Sequence, residues 1–311
     1  MATAPEATGA QAGAFVRKFR PQHAKEAGIK LVAFLCAAVS VLTTLGILYV
    51  LASQAITFFR EVPPSEFFFG SQWNPLIEPR SFGVLPLITG TLLITVGAGA
   101  IAIPLGLMVG IYLSEYAHPR VRGVLKPILE ILAGIPTVVY GYFALFFITP
   151  LLREAFPSVQ VYNAASGAIV VGIMVLPLVT SLCEDALGAV PKALREAAHG
   201  LGATKLEATL RIVVPSALSG IMASFILALS RAVGETMAVT LAAGARPQLT
   251  FNPADSVQTM TAYIVGVTSG DVRQGSTAYN SVFAVGITLF AMTMVMNLLA
   301  IRLVRRFRSA Y

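Results

Sequence analysis

Arg231 and Glu235 stand four residues apart inside an otherwise apolar stretch running from Ser216 to Ala243. An ionisable side chain near mid-bilayer costs about 2.5 to 3.5 kcal/mol on insertion scales, so two of them in one lipid-soluble segment need a reason. If the stretch is one helix, residues four apart lie one above the other on the same face. Two chemistries suit such a pair. In one, guanidinium and carboxylate form a mutual ion pair that staples a helix bundle. In the other, the arginine offers a bidentate donor to a tetrahedral oxyanion, while the glutamate orients it and balances the charge of the empty site.

A second set, Glu115, Glu184 and Asp185, has the residue types for acid-base catalysis or metal ligation in a polytopic membrane enzyme. All three fall where apolar spans end, beside Lys and Arg, so solvation or ion pairing accounts for them. His23, His118 and His199 are scattered without ligand spacing. Cys36 and Cys183 both lie in apolar stretches as packing residues, which argues against a disulfide framework or a thiolate metal site. No G-x-x-x-x-G-K-[ST] phosphate loop occurs, so any ATP-driven work needs another subunit to bind the nucleotide.

The elements that hold these residues belong to a bilayer. Hydrophobic residues make up 56% of the 311, charged residues only 12%, and mean hydropathy is +0.77, which excludes an ordinary soluble domain. Apolar runs of about 20 residues or more, enough to cross the hydrocarbon core, occur at Ile29 to Phe59, Val84 to Leu113, Val124 to Thr149, Ala164 to Cys183, Ser216 to Ala243 and Ser281 to Leu303. The expected fold is therefore all-α and polytopic, with six transmembrane helices. The first run lacks a small-residue cleavage site and reads as a retained helix rather than a signal peptide. Six spans put sixteen Lys and Arg on one side and five on the other, so the richer side, carrying both termini, is expected to be cytoplasmic. That asymmetry and anionic lipid account for the net charge of +7 without nucleic acid.

Within the spans, Gly97, Gly99, Gly106 and Gly110 permit close helix packing. Pro104 is expected to bend its helix, and Gly134 with Pro136 marks a second bending point. Residues 1–14 read as disordered. The 60–83 loop holds Phe67, Phe68, Phe69 and the only tryptophan, Trp73, aromatics expected at the membrane interface. The Gly244 to Asn280 loop has room for a short surface helix around Ser256 to Val267.

Between the fourth and fifth runs lies Glu196 to Pro215, EAAHGLGATKLEATLRIVVP, a polar segment between two hydrophobic ones. A helix over Lys192 to Lys205 would line up Leu194, Ala197, Ala198 and Leu201 as one thin apolar stripe, with Lys192, Arg195, Glu196 and His199 on its flanks. Gly200 and Gly202 weaken the helix after it. Such a stripe suits docking into a groove of another protein; an interfacial helix lying on lipid head groups is the alternative.

Glu196-Ala197-Ala198, Gly202, Ile212 and Pro215 give EAA-x3-G-x9-I-x-x-P, which resembles the EAA loop of ABC importer permeases, with Val214 in place of the usual Leu. Three more blocks, IAIPLGLMVGIYLSEYA from Ile101, ILAGIPTVVYGY from Ile131 and ALSRAVGETMAV from Ala228, resemble the phosphate ABC importer permeases. The Trp73-Asn74-Pro75 region is similar to the PstC-type subunit more than to its PstA-type partner.

That resemblance implies the five-helix core of type I ABC importer permeases over residues 84–303, with a cytoplasmic EAA coupling loop at 184–215. It implies a cytoplasmic tail at 1–28, a peripheral helix at 29–59, a periplasmic loop at 60–83 and a cytoplasmic tail at 304–311. Glu196, Ala197, Ala198, Gly202 and Pro215 would couple to an ATPase, and Arg231 and Glu235 would line the substrate path, with Pro104, Gly134 and Pro136 as bending or gating points. The implied setting is a bacterial inner membrane, with a PstA-type permease, a PstB-type ATPase homodimer that binds ATP and magnesium, and a PstS-type periplasmic phosphate-binding protein. The chain itself would hold no cofactor. A permease for sulfate or molybdate is the neighbouring alternative.

Overall fold

The computed structural model describes residues 22–306; most of the two expected tails, with Arg17, Lys18, Arg20 and Arg308, lies outside them, and the described parts, residues 22–28 and 304–306, are helical rather than tail. The chain divides between Val50 and Leu51 into two units. Helix α1, Gln22–Glu61, begins in the first, where it exposes Phe34, Leu42 and Tyr49 and carries Cys36 on its surface rather than in packing.

In the second unit, α2 (Pro64–Phe69) and a two-residue antiparallel ladder of β1 (Trp73–Asn74) with β2 (Ser81–Phe82) lead into α3 (Leu85–Ile111). Then come α4 (Pro119–Gly134), α5 (Thr137–Phe143), α6 (Thr149–Ala155) and α7 (Ala164–Gly188). After them run α8 (Lys192–Gly200), α9 (Lys205–Ala208), α10 (Val214–Ser216), α11 (Leu218–Val233), α12 (Met237–Ala243), α13 (Met260–Thr268) and α14 (Thr277–Arg306). Single π-helical turns, Tyr112–Tyr116, Ala144–Ile148 and Thr209–Val213, follow α3, α5 and α9.

Among the described residues, five stretches are long and apolar enough to span a bilayer: Gly28–Glu61, Leu85–Tyr116, Thr137–Ala155, Ala164–Gly188 and Thr277–Arg302. A sixth forms if Lys205–Ser216 and Leu218–Val233, bent by 69°, count as one span. Two expected spans are therefore redrawn. The run from Val124 to Thr149 breaks at Ile135-Pro136, because Pro136 has no backbone N–H to continue α4 and instead caps α5. α4 buries none of its own side chains, and the spanning helix starts at Thr137. The run from Ser216 to Ala243 breaks at Gly234-Glu235-Thr236.

The core lies along α3 and α7, where Ile94, Ala98 and Ala102 meet Val170, Val171, Val175 and Val179. Gly106 and Gly110 let the two backbones close: a Cβ on Gly106 would stand 2.7 Å from two atoms of Val179, and one on Gly110 2.9 Å from Cys183. Pro104 lies within this uninterrupted helix. Cys183 packs as expected, its sulfur 3.1 Å from the Ser224 hydroxyl. Trp73 is not at a lipid surface. It is 3% exposed and meets Tyr263 edge to face at 4.9 Å, in a cluster with Phe58, Phe67 and Phe82. The helix expected on the surface near Ser256 is α13, whose Met260, Ala262 and Tyr263 are buried.

Candidate functional site

The segment from α8 to α10 is a folded hairpin of short helices, not one helix to Lys205. α8 stops because Gly202 takes φ +85°, which an L side chain rarely adopts, so that its N–H bonds His199 O and Ala203 N–H bonds Ala198 O, both at 3.0 Å. No atom lies within 4 Å of where a Cβ on Gly202 would sit; within this chain the glycine serves the turn. Thr204 then opens α9 with a capping box: its hydroxyl accepts from Glu207 N–H, and Glu207 Oε2 accepts from Thr204 N–H at 2.9 Å and its hydroxyl at 2.8 Å. Those bonds from Thr204, backbone first, hold the Glu207 carboxyl below its ordinary range, with Arg211 adding to them. Pro215 sits in the last short helix before the 69° bend into α11.

The expected apolar stripe is split. Leu194 and Ala198, four apart, turn into the chain's own core, while Glu196 and Ala197 are exposed and Leu201 is 91% exposed. Leu206 and Leu210 are also exposed, so the outward apolar set is Ala197, Leu201, Leu206 and Leu210.

What rotates α8 this way is Arg195, which faces inward. Its Nε and Nη2 donate to Glu115 Oε2 and Oε1 at 3.2 and 2.8 Å, and its other donors reach the carbonyls of Leu187 and Val190 at the end of α7. Beside it, Glu184, 1% exposed, is ion-paired with Arg122 and Lys126, and Lys126 also reaches Asp185 at 3.8 Å. The acidic trio thus pairs with basic neighbours. Arg195 was legible only as a flank of the stripe; the sequence carries no signal that its partner is Glu115.

Arg231 and Glu235 do not share a helical face. α11 ends at Val233, and Glu235 lies in the break, where its Oε1 accepts from Ala238 N–H at 3.2 Å and its carbonyl accepts from Thr261 Oγ1 at 2.7 Å. Glu235 is 9% exposed, whereas Arg231 is exposed and makes no ion pair among the described residues. Instead of stapling Arg231, the glutamate seals the start of α12. Leu227 and Ala223, one and two turns before Arg231 on the same stripe, line a mostly apolar cleft of about 540 Å3 between α11 and α14. Above it Ser230 donates to Asn297 at 3.1 Å.

Residues 102–309 match the family of binding-protein-dependent transport system inner membrane components. The chain is 33% identical over 270 residues to the probable ABC transporter permease protein YqgH of Bacillus subtilis, covering 83% of this chain and 87% of that one. It is 33% identical over 256 residues to the phosphate transport system permease protein PstC of Mesorhizobium japonicum, covering 75% and 76%. In fold it is similar to a chain of a bacterial alginate ABC transporter solved with an alginate-bound periplasmic protein, at TM-score 0.64 and 15% identity, over 91% of this chain and 96% of that one. With its spanning helices and its buried α3 and α7 core, the chain belongs to the binding-protein-dependent transport system inner membrane components, the membrane-embedded permeases of ABC importers.

Proposed function

We propose that the chain is the PstC-type permease subunit of an ATP-driven phosphate importer in a bacterial inner membrane. The observation that carries the cargo reading is Arg231: a guanidinium exposed in a lipid-soluble span, with no carboxylate partner among the described residues, at the end of α11 beside a helix break. A planar fork of donors left unpaired suits a tetrahedral oxyanion, and a relative 33% identical carries the name of a phosphate permease.

In this reading, Ala197, Leu201 and Leu206 dock on a PstB-type ATPase homodimer that holds ATP and magnesium. Its closure pushes α8 and shifts the permease between outward and inward access. A PstA-type permease completes the path, and a PstS-type protein delivers phosphate from outside. The end bearing α8 and both termini face the cytoplasm, as the basic residues favour.

Liposomes holding the copurified complex test it. ATP inside the cytoplasmic compartment should drive phosphate accumulation that excess sulfate and molybdate leave unchanged. Accumulation of sulfate or molybdate in preference to phosphate would favour a permease for that other oxyanion.

A further inference from the structure

Backbone continuity joins α8 to α7 and α10 to α11. It does not join the loop to α3, whose end lies 80 residues away in sequence from the residue that meets it. The geometry points to Arg195 and Glu115 as positioning residues that form a strut, making α3 move with the coupling loop. This rests on the reading of α8 as the ATPase-docking helix.

Four observations carry it. The guanidinium and carboxylate meet through two bonds, a fork that fixes direction as well as distance. Both groups are shielded, at 20% and 9% exposure, so water does not screen the pair as it would on a surface. The same guanidinium holds two carbonyls at the end of α7, so one side chain ties three segments. Finally, Glu115 sits in the π-helical turn that ends α3, and the next residue, Tyr116, takes the Lys205 ammonium 4.9 Å above its ring. Adjacent residues of α3's terminal turn therefore hold both arms of the loop, α8 through Glu115 and α9 through Tyr116. Because α3 packs on α7 with no room for a Cβ at Gly106 or Gly110, a push on the loop is delivered to the pair as a unit.

The test uses the complete copurified complex in liposomes and reads phosphate transported per ATP hydrolysed. E115Q keeps the shape and removes the charge; R195K keeps the charge and removes the fork. Both should retain the ATPase subunit and basal hydrolysis while transport per ATP falls about tenfold. L201D, on the outward face of the loop, serves as the docking control. If E115Q and R195K stay within about twofold of the parent while L201D is impaired, the strut is wrong and docking stands. If all three transport normally, docking falls and the strut with it.

If E115Q fails to assemble, spin labels at Tyr112→Cys and Ala193→Cys, with Cys36 and Cys183 replaced, decide in the unaltered pair. An interlabel distance that stays the same with and without trapped ATP supports the strut. One that changes with nucleotide overturns it.

Discussion

The α3 and α7 pair and the α11 and α12 segment begin as similar sequence, long apolar runs holding glycine, yet they fold to opposite ends. α3 and α7 run unbroken through Pro104 and Pro177. Their glycines lie against Val179 and Cys183, and tight packing on both sides holds each helix together despite the hydrogen bond a proline removes. The α11 run contains no proline, and it breaks at Gly234-Glu235-Thr236. There the Glu235 carboxylate accepts from the Ala238 N–H, and the Glu235 carbonyl accepts from the Thr261 hydroxyl, so polar bonds stabilise the break. In this chain packing carries helices through their prolines, and satisfied polar groups hold the joint between α11 and α12.

The largest effect should come from prying the rigid pair apart. Gly106→Val would put its Cβ 2.7 Å from Val179 and its branches further in, at the upper end of the about 1 to 3 kcal/mol typical of overpacking or beyond it; thermal melting and yield of the complex should both drop. Gly123→Ala in α4, with no atom within 4 Å of the new Cβ, should leave melting unchanged or raise it, by up to about 1 kcal/mol. Equal melting of the two variants would mean that the close approach does not organise the fold.

At the joint, Arg231→Lys should leave assembly intact and lower phosphate uptake about tenfold, since an ammonium keeps the charge and loses the planar fork. Glu235→Gln keeps an oxygen to accept from Ala238 N–H, so its loss of uptake should be smaller and should report charge alone. Normal uptake by Arg231→Lys would remove Arg231 from the substrate path.

Smaller again is Gly202→Ala, which strains a residue at φ +85°. It should open the turn between α8 and α9 and lower transport per ATP with the spans still folded. The smallest effect is a pH dependence in α9. The Glu207 carboxyl is held below its unfolded value, so its contribution is present above the ordinary carboxylate range and is lost as pH falls through the lowered folded value. Protection of the Lys205–Ala208 amides, measured against their intrinsic exchange rates at each pH, should fall over that window, and Glu207→Gln should abolish that fall; identical profiles would show that the capping box does not hold α9.

The sequence carried four of the six spans and the glycine contacts between α3 and α7 because these depend on periodicity and on residues near in sequence. Gly134 and Pro136 marked a true helix break for the same reason. It did not carry the break at Glu235, because nothing local distinguishes a glutamate on a helical face from one that turns to cap the next helix; Thr261, 26 residues away, helps decide it. Nor did it carry the inward turn of Arg195. A helical wheel sorts residues by polarity, and it places an arginine outward unless a buried carboxylate such as Glu115 waits across the fold. Trp73 misled for a related reason: an aromatic beside a span is as ready for a cluster with Phe58, Phe67 and Tyr263 as for lipid.

The proposed transport cycle requires the broken span to open to alternate sides while the packed pair stays closed. It is tested by single cysteines, with Cys36 and Cys183 replaced, in liposomes holding the assembled complex. Thr236→Cys, in the joint, should react with an impermeant thiol reagent from one side without nucleotide and from the other with ATP trapped, whereas Thr180→Cys, fully buried between α3 and α7, should stay unreactive in both states. Thr236→Cys labelling that is indifferent to ATP, or Thr180→Cys labelling that appears with it, would contradict the account.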